Sequence, residues 1–157
     1  MLTTQQLQII KAEILADPIL NAFPLNSDGH FAIAALLNQI FSPSFIVWRT
    51  SVTIKEIMTN NFRWTDIDTL TAAKYRTWEQ FVWLGEINPS KPNIRQGLRD
   101  CWGAGSAQEV VVLPHLKRSA SRVEKILASG TGTDAIPATM TFEGPIPYNE
   151  VEAARNI

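Results

Sequence analysis

The stretch from Thr71 to Trp102 constrains the fold of this chain more than any other, because it contains two helical patterns separated by prolines. From Ala72 to Gly85, apolar side chains recur mostly at steps of three and four residues, the spacing of one helix face. Asn88-Pro89 ends this pattern, because the residue before a proline avoids the helical region. Pro92 then starts a second pattern at a position that tolerates proline. The stretch predicts an antiparallel helix pair with an aromatic seam.

Trp78 and Trp83 both lie on the first helix of this predicted pair, and they are two of five tryptophans in the chain. Because they are five residues apart, they point in different directions around the helix. One can therefore be buried in the core while the other faces a partner. Tryptophan is enriched at the energetic centres of protein interfaces, so the pattern favours an oligomer.

Most of the remaining patterns also predict helices. The predicted segments are Thr3 or Thr4 to Asp17, Phe31 to Phe41, Ser51 or Thr53 to Asn60, and one long last helix from Ala107 to Ser129. Pro114 lies inside the last segment, which either starts near the proline or is kinked there. Phe45–Trp48 fits a strand or an extended connection. At 157 residues the chain suits one domain, predicted as a mainly α, small helical bundle over residues 1–130.

The composition changes from Thr131 onwards, where prolines and glycines become frequent. Pro137, Pro145 and Pro147 prevent one continuous helix. Residues 138–143 alternate between apolar and polar side chains, as a short strand does. Because such a segment has little means of burying itself, we predict an extended C-terminal arm, residues 131–157, that contains a short β-strand and leaves the domain.

Charge and cysteine content narrow the functional classes. The formal net charge is -1, which argues against a dedicated binder of nucleic acid or membrane surfaces. No stretch approaches the roughly 20 apolar residues of a membrane span. The start of the sequence lacks the apolar region of a secretory signal. Cys101 is the only cysteine, which excludes an intrachain disulfide and fits a reducing compartment. We expect a protein of the cytosol, or of an assembly built there.

No residue pattern predicts catalysis, a cofactor or a metal site, so we expect a protein that is not an enzyme. His30, His115 and Cys101 match no zinc spacing. Cys101 lies in an apolar helix stripe, which is typical of a buried structural thiol. Asp66 and Asp68 are best explained as acidic residues near a helix start.

One basic cluster stands out, with Arg118, Arg122 and Lys125 at its centre. These three side chains lie on one face of the last predicted helix. That face could contact DNA phosphates without sequence preference. The alternative is a solvated outer face, partly offset by Glu124.

Three segments carry a resemblance to a known class of proteins: Asn26–Val52, Ala72–Trp102 and Ala138–Asn156. They resemble small structural proteins encoded among the head and neck components of tailed phages. A helical body with a C-terminal arm is similar to the head-to-tail connector (adaptor or neck) proteins, which form a ring beneath the portal. Other virion roles also fit, such as a capsid-associated or tail-completion protein, as does a sequence-independent DNA-binding helical module.

The resemblance implies a virion protein that is assembled in the host cytoplasm. Its implied partners are identical subunits in a homo-oligomeric ring, the portal protein and other neck or tail proteins, with DNA passing through the ring as a further candidate. On this hypothesis the arm folds when it binds its partner. The predicted partner-binding side chains are Phe142, Ile146, Tyr148 and Val151. Deleting residues 134–157 is then expected to leave a folded domain that no longer assembles.

Overall fold

The computed structural model describes residues 1–157, and its fold is mainly α, as predicted from the sequence. The helices are α1 (Thr4–Ala16), α2 (Pro18–Asn21), α3 (Ser27–Leu37), α4 (Ile54–Thr59), α5 (Trp64–Asp68), α6 (Ala72–Leu84), α7 (Pro92–Trp102), α8 (Ala107–Val112), α9 (Arg122–Leu127) and α10 (Tyr148–Asn156). The strands are β1 (Ile46–Trp48), β2 (Val52–Thr53), β3 (Glu86–Ile87), β4 (Lys117–Ser119), β5 (Ala128–Ser129) and β6 (Thr139–Met140), and a 3-10 turn covers Leu113–Leu116.

The chain forms two compact units, each with its own apolar core. Unit 1 consists of Met1–Val47 and Ser119–Ile157, and unit 2 is the segment between them, Trp48–Arg118. This division differs from the one drawn from the sequence, which placed residues 1–130 in one domain and residues 131–157 in an arm.

Unit 1 is built around α1, α3, α9 and α10, which share one buried cluster. Thr3 caps α1 through a capping box with Gln6, so the predicted start of this helix is confirmed. The inner face of α1 places Ile10 and Ile14 in the core, and α3 adds Ile33 and other apolar side chains. The unit therefore has a helical core to which both of its sequence segments contribute.

The extended arm predicted for residues 131–157 is corrected by the structure, because this segment packs on unit 1. β6 is the short strand expected in the segment, but it pairs antiparallel with β5 of the same chain. α10 then packs on α1 and α3, and its Val151 and Ala154 are fully buried. Asn38 fixes the approach to α10, because its side chain donates to the Ile146 carbonyl (3.0 Å) and accepts from the Ile146 amide (2.7 Å).

Unit 2 contains the predicted helix pair as α6 and α7, which contact each other through an aromatic seam. The Trp78 ring lies 5.4 Å from that of Phe62 and 5.0 Å from that of Trp102, centroid to centroid. Gly85 ends α6 in the left-handed conformation (φ 69°), which glycine adopts at little cost. β3 follows at once and pairs antiparallel with β2, with Val52 opposite Ile87.

The single long helix predicted for residues 107–129 is also corrected. α8 ends at Val112, and Pro114 lies in the 3-10 turn that follows, because proline lacks the amide hydrogen that would continue an α-helix. The chain next forms β4, and α9 starts only after Ser121, which caps it in a capping box with Glu124. Residues Ile46–Trp48 form β1, so of the two alternatives for this stretch the strand is confirmed.

None of the helices is both long enough and apolar enough to cross a membrane.

Candidate protein-binding groove

Helix α6 separates its two tryptophans as the sequence predicted. Trp78 is 3% exposed and belongs to the core of unit 2, whereas Trp83 is 84% exposed. The face that carries Trp83 also carries Tyr75 and Val82, both of which are exposed. A helix normally directs its large apolar residues towards the core, so this second apolar face is a candidate interaction surface.

This face of α6 forms one wall of an open groove of about 380 Å³. α4 contributes Met58 to the lining, and α5 contributes Trp64 and Ile67. The complete lining is Met58, Trp64, Ile67, Tyr75, Trp78, Glu79, Val82 and Trp83, and we call this surface the aromatic groove.

Local interactions hold the walls of the aromatic groove in place. Arg63 Nε donates to Asp66 Oδ2 at 2.8 Å across the first turn of α5. The Trp64 ring packs edge-on against Phe62, with 5.1 Å between centroids, and Phe62 in turn stacks on Trp78. At the start of α6, the Thr71 side chain accepts from the Lys74 amide. The groove is therefore attached to the buried seam of unit 2.

Glu79 is the one charged residue that lines the aromatic groove. It is half-buried, and its carboxylate forms no hydrogen bond or ion pair within the chain. Glu109, also in unit 2, shows the usual arrangement, since its carboxylate accepts from Arg99 Nε at 2.7 Å. A partly desolvated, unpaired carboxylate is less stable than a paired one, so Glu79 favours a positively charged group from outside the chain.

The four side chains predicted to anchor a detached arm do not form such a surface. Ile146 and Val151 are in the core of unit 1. Phe142 packs against the same core, and the Tyr148 ring stacks on Phe31 at 4.1 Å between centroids. The prediction of a detached arm is therefore corrected: Ile146 and Val151 are buried in their own unit, and Phe142 and Tyr148 contact residues of the same unit.

The predicted DNA-facing residues do not share a helix face. Arg118 lies in β4, whereas Arg122 and Lys125 lie in α9. Arg122 forms ion pairs with Glu13 and Asp17, with Nη2 2.8 Å from Glu13 Oε1. Lys125 Nζ lies 3.6 Å from the centre of the Phe41 ring. Arg122 and Lys125 thus contact other side chains of unit 1, and the shared helix face predicted for the three cations is corrected.

The Arg122 ion pairs predict a pH-dependent contribution to stability. The hydrogen bond from Arg122 is the main cause that lowers the pKa of Asp17 below its usual value. A carboxyl group whose pKa is lowered on folding stabilises the protein above its unfolded pKa of about 4, and this contribution is lost as the pH falls through the folded value. Arg122→Gln should therefore lower the melting temperature at neutral pH, and the difference from the wild type should shrink as the pH falls below about 4.

Melting curves recorded by circular dichroism across this pH range test the prediction. The matched control is Arg76→Gln, which removes an exposed arginine that has no charged partner. A deficit of Arg122→Gln that is independent of pH would show that the ion pairs are not its cause.

Cys101 is buried, as the apolar stripe around it predicted. Cys101 is fully buried, and burial is the main cause that raises the pKa of its thiol to about 11. The thiol is therefore protonated at neutral pH and is a poor nucleophile. No three His, Cys, Asp or Glu residues lie close enough together to hold a metal ion.

The chain is a mainly α protein whose unit 2 carries an open groove lined by aromatic side chains and one carboxylate. No protein-family model, no curated protein and no solved structure matches the chain. Any assignment of function therefore depends on the surface chemistry and on the resemblance of segments described above.

The sequence indicated only part of the aromatic groove. It suggested that one of Trp78 and Trp83 would face outwards, and that residue is Trp83. It did not identify Tyr75 and Glu79 as parts of the same surface, although residues 75, 79 and 83 follow one another at helical steps of four. That spacing was the available signal. Trp64 carried no such signal, because it reaches the groove from another helix.

Proposed function

We propose that this protein is a structural, non-enzymatic component of a tailed-phage particle, acting as a ring-forming head-to-tail connector that assembles through the aromatic groove. The observation that carries the proposal is the exposure of Trp83 at 84%, beside an open groove lined by further aromatic side chains. The resemblance of three sequence segments to phage head and neck proteins supports the class of particle.

The energetics of Trp83 support a docking role. Burying a tryptophan removes about 150–250 Å² from water, which at about 25 cal/mol per Å² corresponds to about 4–6 kcal/mol before the costs of association. Within the chain this gain is not realised, because the side chain points into solvent. A partner surface that covers the groove would realise it, and buried tryptophans of this kind are frequent hot spots of binding.

A ring in addition requires two different surfaces on each subunit, since neighbouring subunits in a ring meet head to tail. The aromatic groove supplies one surface on unit 2. On unit 1, Ile19, Leu25 and Ile40 are exposed apolar side chains that could contribute to a second. This mechanism replaces the arm-based one: folded surfaces, rather than a segment that folds on binding, would contact neighbouring subunits, the portal or other neck proteins.

The test compares Trp83→Ala with Leu84→Ala. Leu84 is the next residue of the same helix and is also exposed, but it does not line the groove. Loss of a hot-spot tryptophan should weaken assembly by about 30-fold or more, whereas Leu84→Ala should stay close to the wild type. Sedimentation measures the association, and electron microscopy of the same samples shows whether it produces rings.

A second measurement addresses the location of the protein. Quantitative mass spectrometry of purified phage particles is expected to find the chain in a fixed number of copies per particle, and that number should fall for Trp83→Ala. If the chain is absent from particles, the virion assignment is wrong. If Trp83→Ala and Leu84→Ala assemble equally well, the aromatic groove is not the surface through which the subunits associate.

A further inference from the structure

We infer that the aromatic groove recognises an arginine side chain, flanked by aliphatic residues, on the protein that docks there. The inference rests on the proposed function only in taking the groove as the docking surface. Beyond the proposed function, the inference specifies the chemical group of the partner that the groove recognises.

The first argument is the position of Glu79 among aromatic rings. Tyr75 precedes it by four residues and Trp83 follows it by four, so the three side chains are neighbours along one face of α6. Trp64 and Trp78 line the same groove. A carboxylate with aromatic rings around it forms a site of negative potential, because the face of each ring carries a partial negative charge.

The second argument is that this potential is not neutralised within the chain. Glu79 is half-buried and has no cationic partner. At another tryptophan of the same unit, the chain supplies its own cation. The Arg95 guanidinium lies 4.4 Å from the centre of the Trp48 ring. At the aromatic groove, the corresponding cation must come from another molecule.

The third argument selects arginine over lysine. A guanidinium is planar, so it can stack on a tryptophan or tyrosine ring while it donates two hydrogen bonds to one carboxylate. An ammonium group is compact and strongly hydrated, and it fits this combination less well. The aliphatic neighbours of the arginine would cover the remaining apolar lining, which includes Met58, Ile67 and Val82.

The charge of Glu79 also argues against symmetric pairing of two aromatic grooves. A two-fold axis through the groove would bring the Glu79 carboxylates of two copies together, and like charges in a partly desolvated interface repel each other. The arginine must therefore belong to a different surface, and we assign it to another face of a neighbouring copy of the chain. This requirement agrees with a head-to-tail contact.

The experiment titrates the full chain with three short peptides, Ac-Leu-Arg-Leu-NH2, its lysine analogue and its glutamine analogue. Binding is followed through the indole N–H resonances of the five tryptophans in nitrogen-15 NMR spectra. The arginine peptide should shift the Trp64 and Trp83 signals and bind about tenfold more tightly than the glutamine peptide, with lysine between them. Increasing the ionic strength should reduce this preference.

Glu79→Gln keeps the shape of the side chain and removes its charge, so it should abolish the preference for arginine. Glu152→Gln is the matched control, because Glu152 is exposed on unit 1 and does not line the groove. Unchanged melting temperatures would show that both variants are folded. Equal binding of the arginine and glutamine peptides, or an arginine preference that survives in Glu79→Gln, would overturn the inference.

The outcomes separate this inference from the proposed function. If Trp83→Ala prevents assembly but the arginine preference is absent, the groove is a docking surface of a different chemistry and only the inference fails. If the arginine preference depends on Glu79 but Trp83→Ala assembles normally, the binding site is real and the proposed role of the groove in assembly fails.

Discussion

Val151→Asp is expected to unfold unit 1, whereas Ala153→Asp on the same helix is expected to leave it folded. Val151 is fully buried where α10 packs on α3, in a cluster that also contains Ile10, Ile33 and Ile146. An aspartate there places an unpaired charge in an apolar core, a change that costs about 4 kcal/mol or more. Since the total stability of a domain is about 5–15 kcal/mol, this loss removes a large share of it.

Ala153 provides the matched control because it is exposed on α10 and receives the same new charge. Circular dichroism melting curves and limited proteolysis measure the difference between the two variants. The expected result is early unfolding and rapid cleavage of Val151→Asp only. If the two variants melt together, α10 does not pack on unit 1 in solution, and the detached arm predicted from the sequence is correct after all.

The same packing reverses the expectation for the deletion of residues 134–157. The sequence predicted a folded remainder, but this deletion removes Ile146, Val151 and Ala154 from the core. It also removes β6, which pairs with β5. The truncated chain should therefore be poorly folded, and its failure to assemble would say nothing about a partner.

Features decided by neighbouring residues were predictable from the sequence. The caps at Thr3 and Thr71, the α6–α7 pair and the opposite exposure of Trp78 and Trp83 all depend on local spacing. A capping hydroxyl or a three-to-four-residue repeat acts within a few residues of its own position. The mainly α fold follows from the sum of such local signals.

Features decided by contacts distant in sequence were not predictable in the same way. The segment 131–157 has no apolar repeat that runs through its whole length, because it combines a short strand, irregular stretches and the helix α10. Ile146 is held by Asn38, more than 100 residues earlier in the chain. Proline and glycine content therefore identified an irregular segment correctly, but irregular structure does not imply detachment when single side chains can enter an existing core.

The same distinction applies to the candidate site. Trp64 and Tyr75 belong to different helices, and only the folding of unit 2 brings them to one groove. The missing partner of Glu79 is likewise a property of the folded chain, because any of the nearby cations in the sequence could have paired with it. Sequence spacing indicated an exposed tryptophan, and the structure supplied the carboxylate that gives the surface its chemistry.

The second large effect is expected for the variant Gly29→Ala in α3. This variant should be less stable than the wild type, although alanine is the better helix former. Helix propensity alone favours alanine over glycine by about 1 kcal/mol. However, a Cβ atom at position 29 would lie 2.0 Å from the carbonyl oxygen of Pro24. Ordinary contacts between carbon and oxygen are about 3.3 Å or longer, so the backbone on one side must move by more than 1 Å.

That movement is resisted because the loop before α3 is held from its other side. Arg155 of α10 donates to the carbonyl oxygens of Phe23 and Pro24, each at 2.9 Å. Because the approach is so short, we expect an overpacking cost at the upper end of the usual range, about 3 kcal/mol. After the propensity gain of about 1 kcal/mol is subtracted, the free energy of unfolding should fall by about 2 kcal/mol. Ala35→Gly, at an exposed position of α3, should lose only about 1 kcal/mol. Urea unfolding of both variants measures the two effects, and a stabilised Gly29→Ala would mean that Pro24 does not approach α3 this closely.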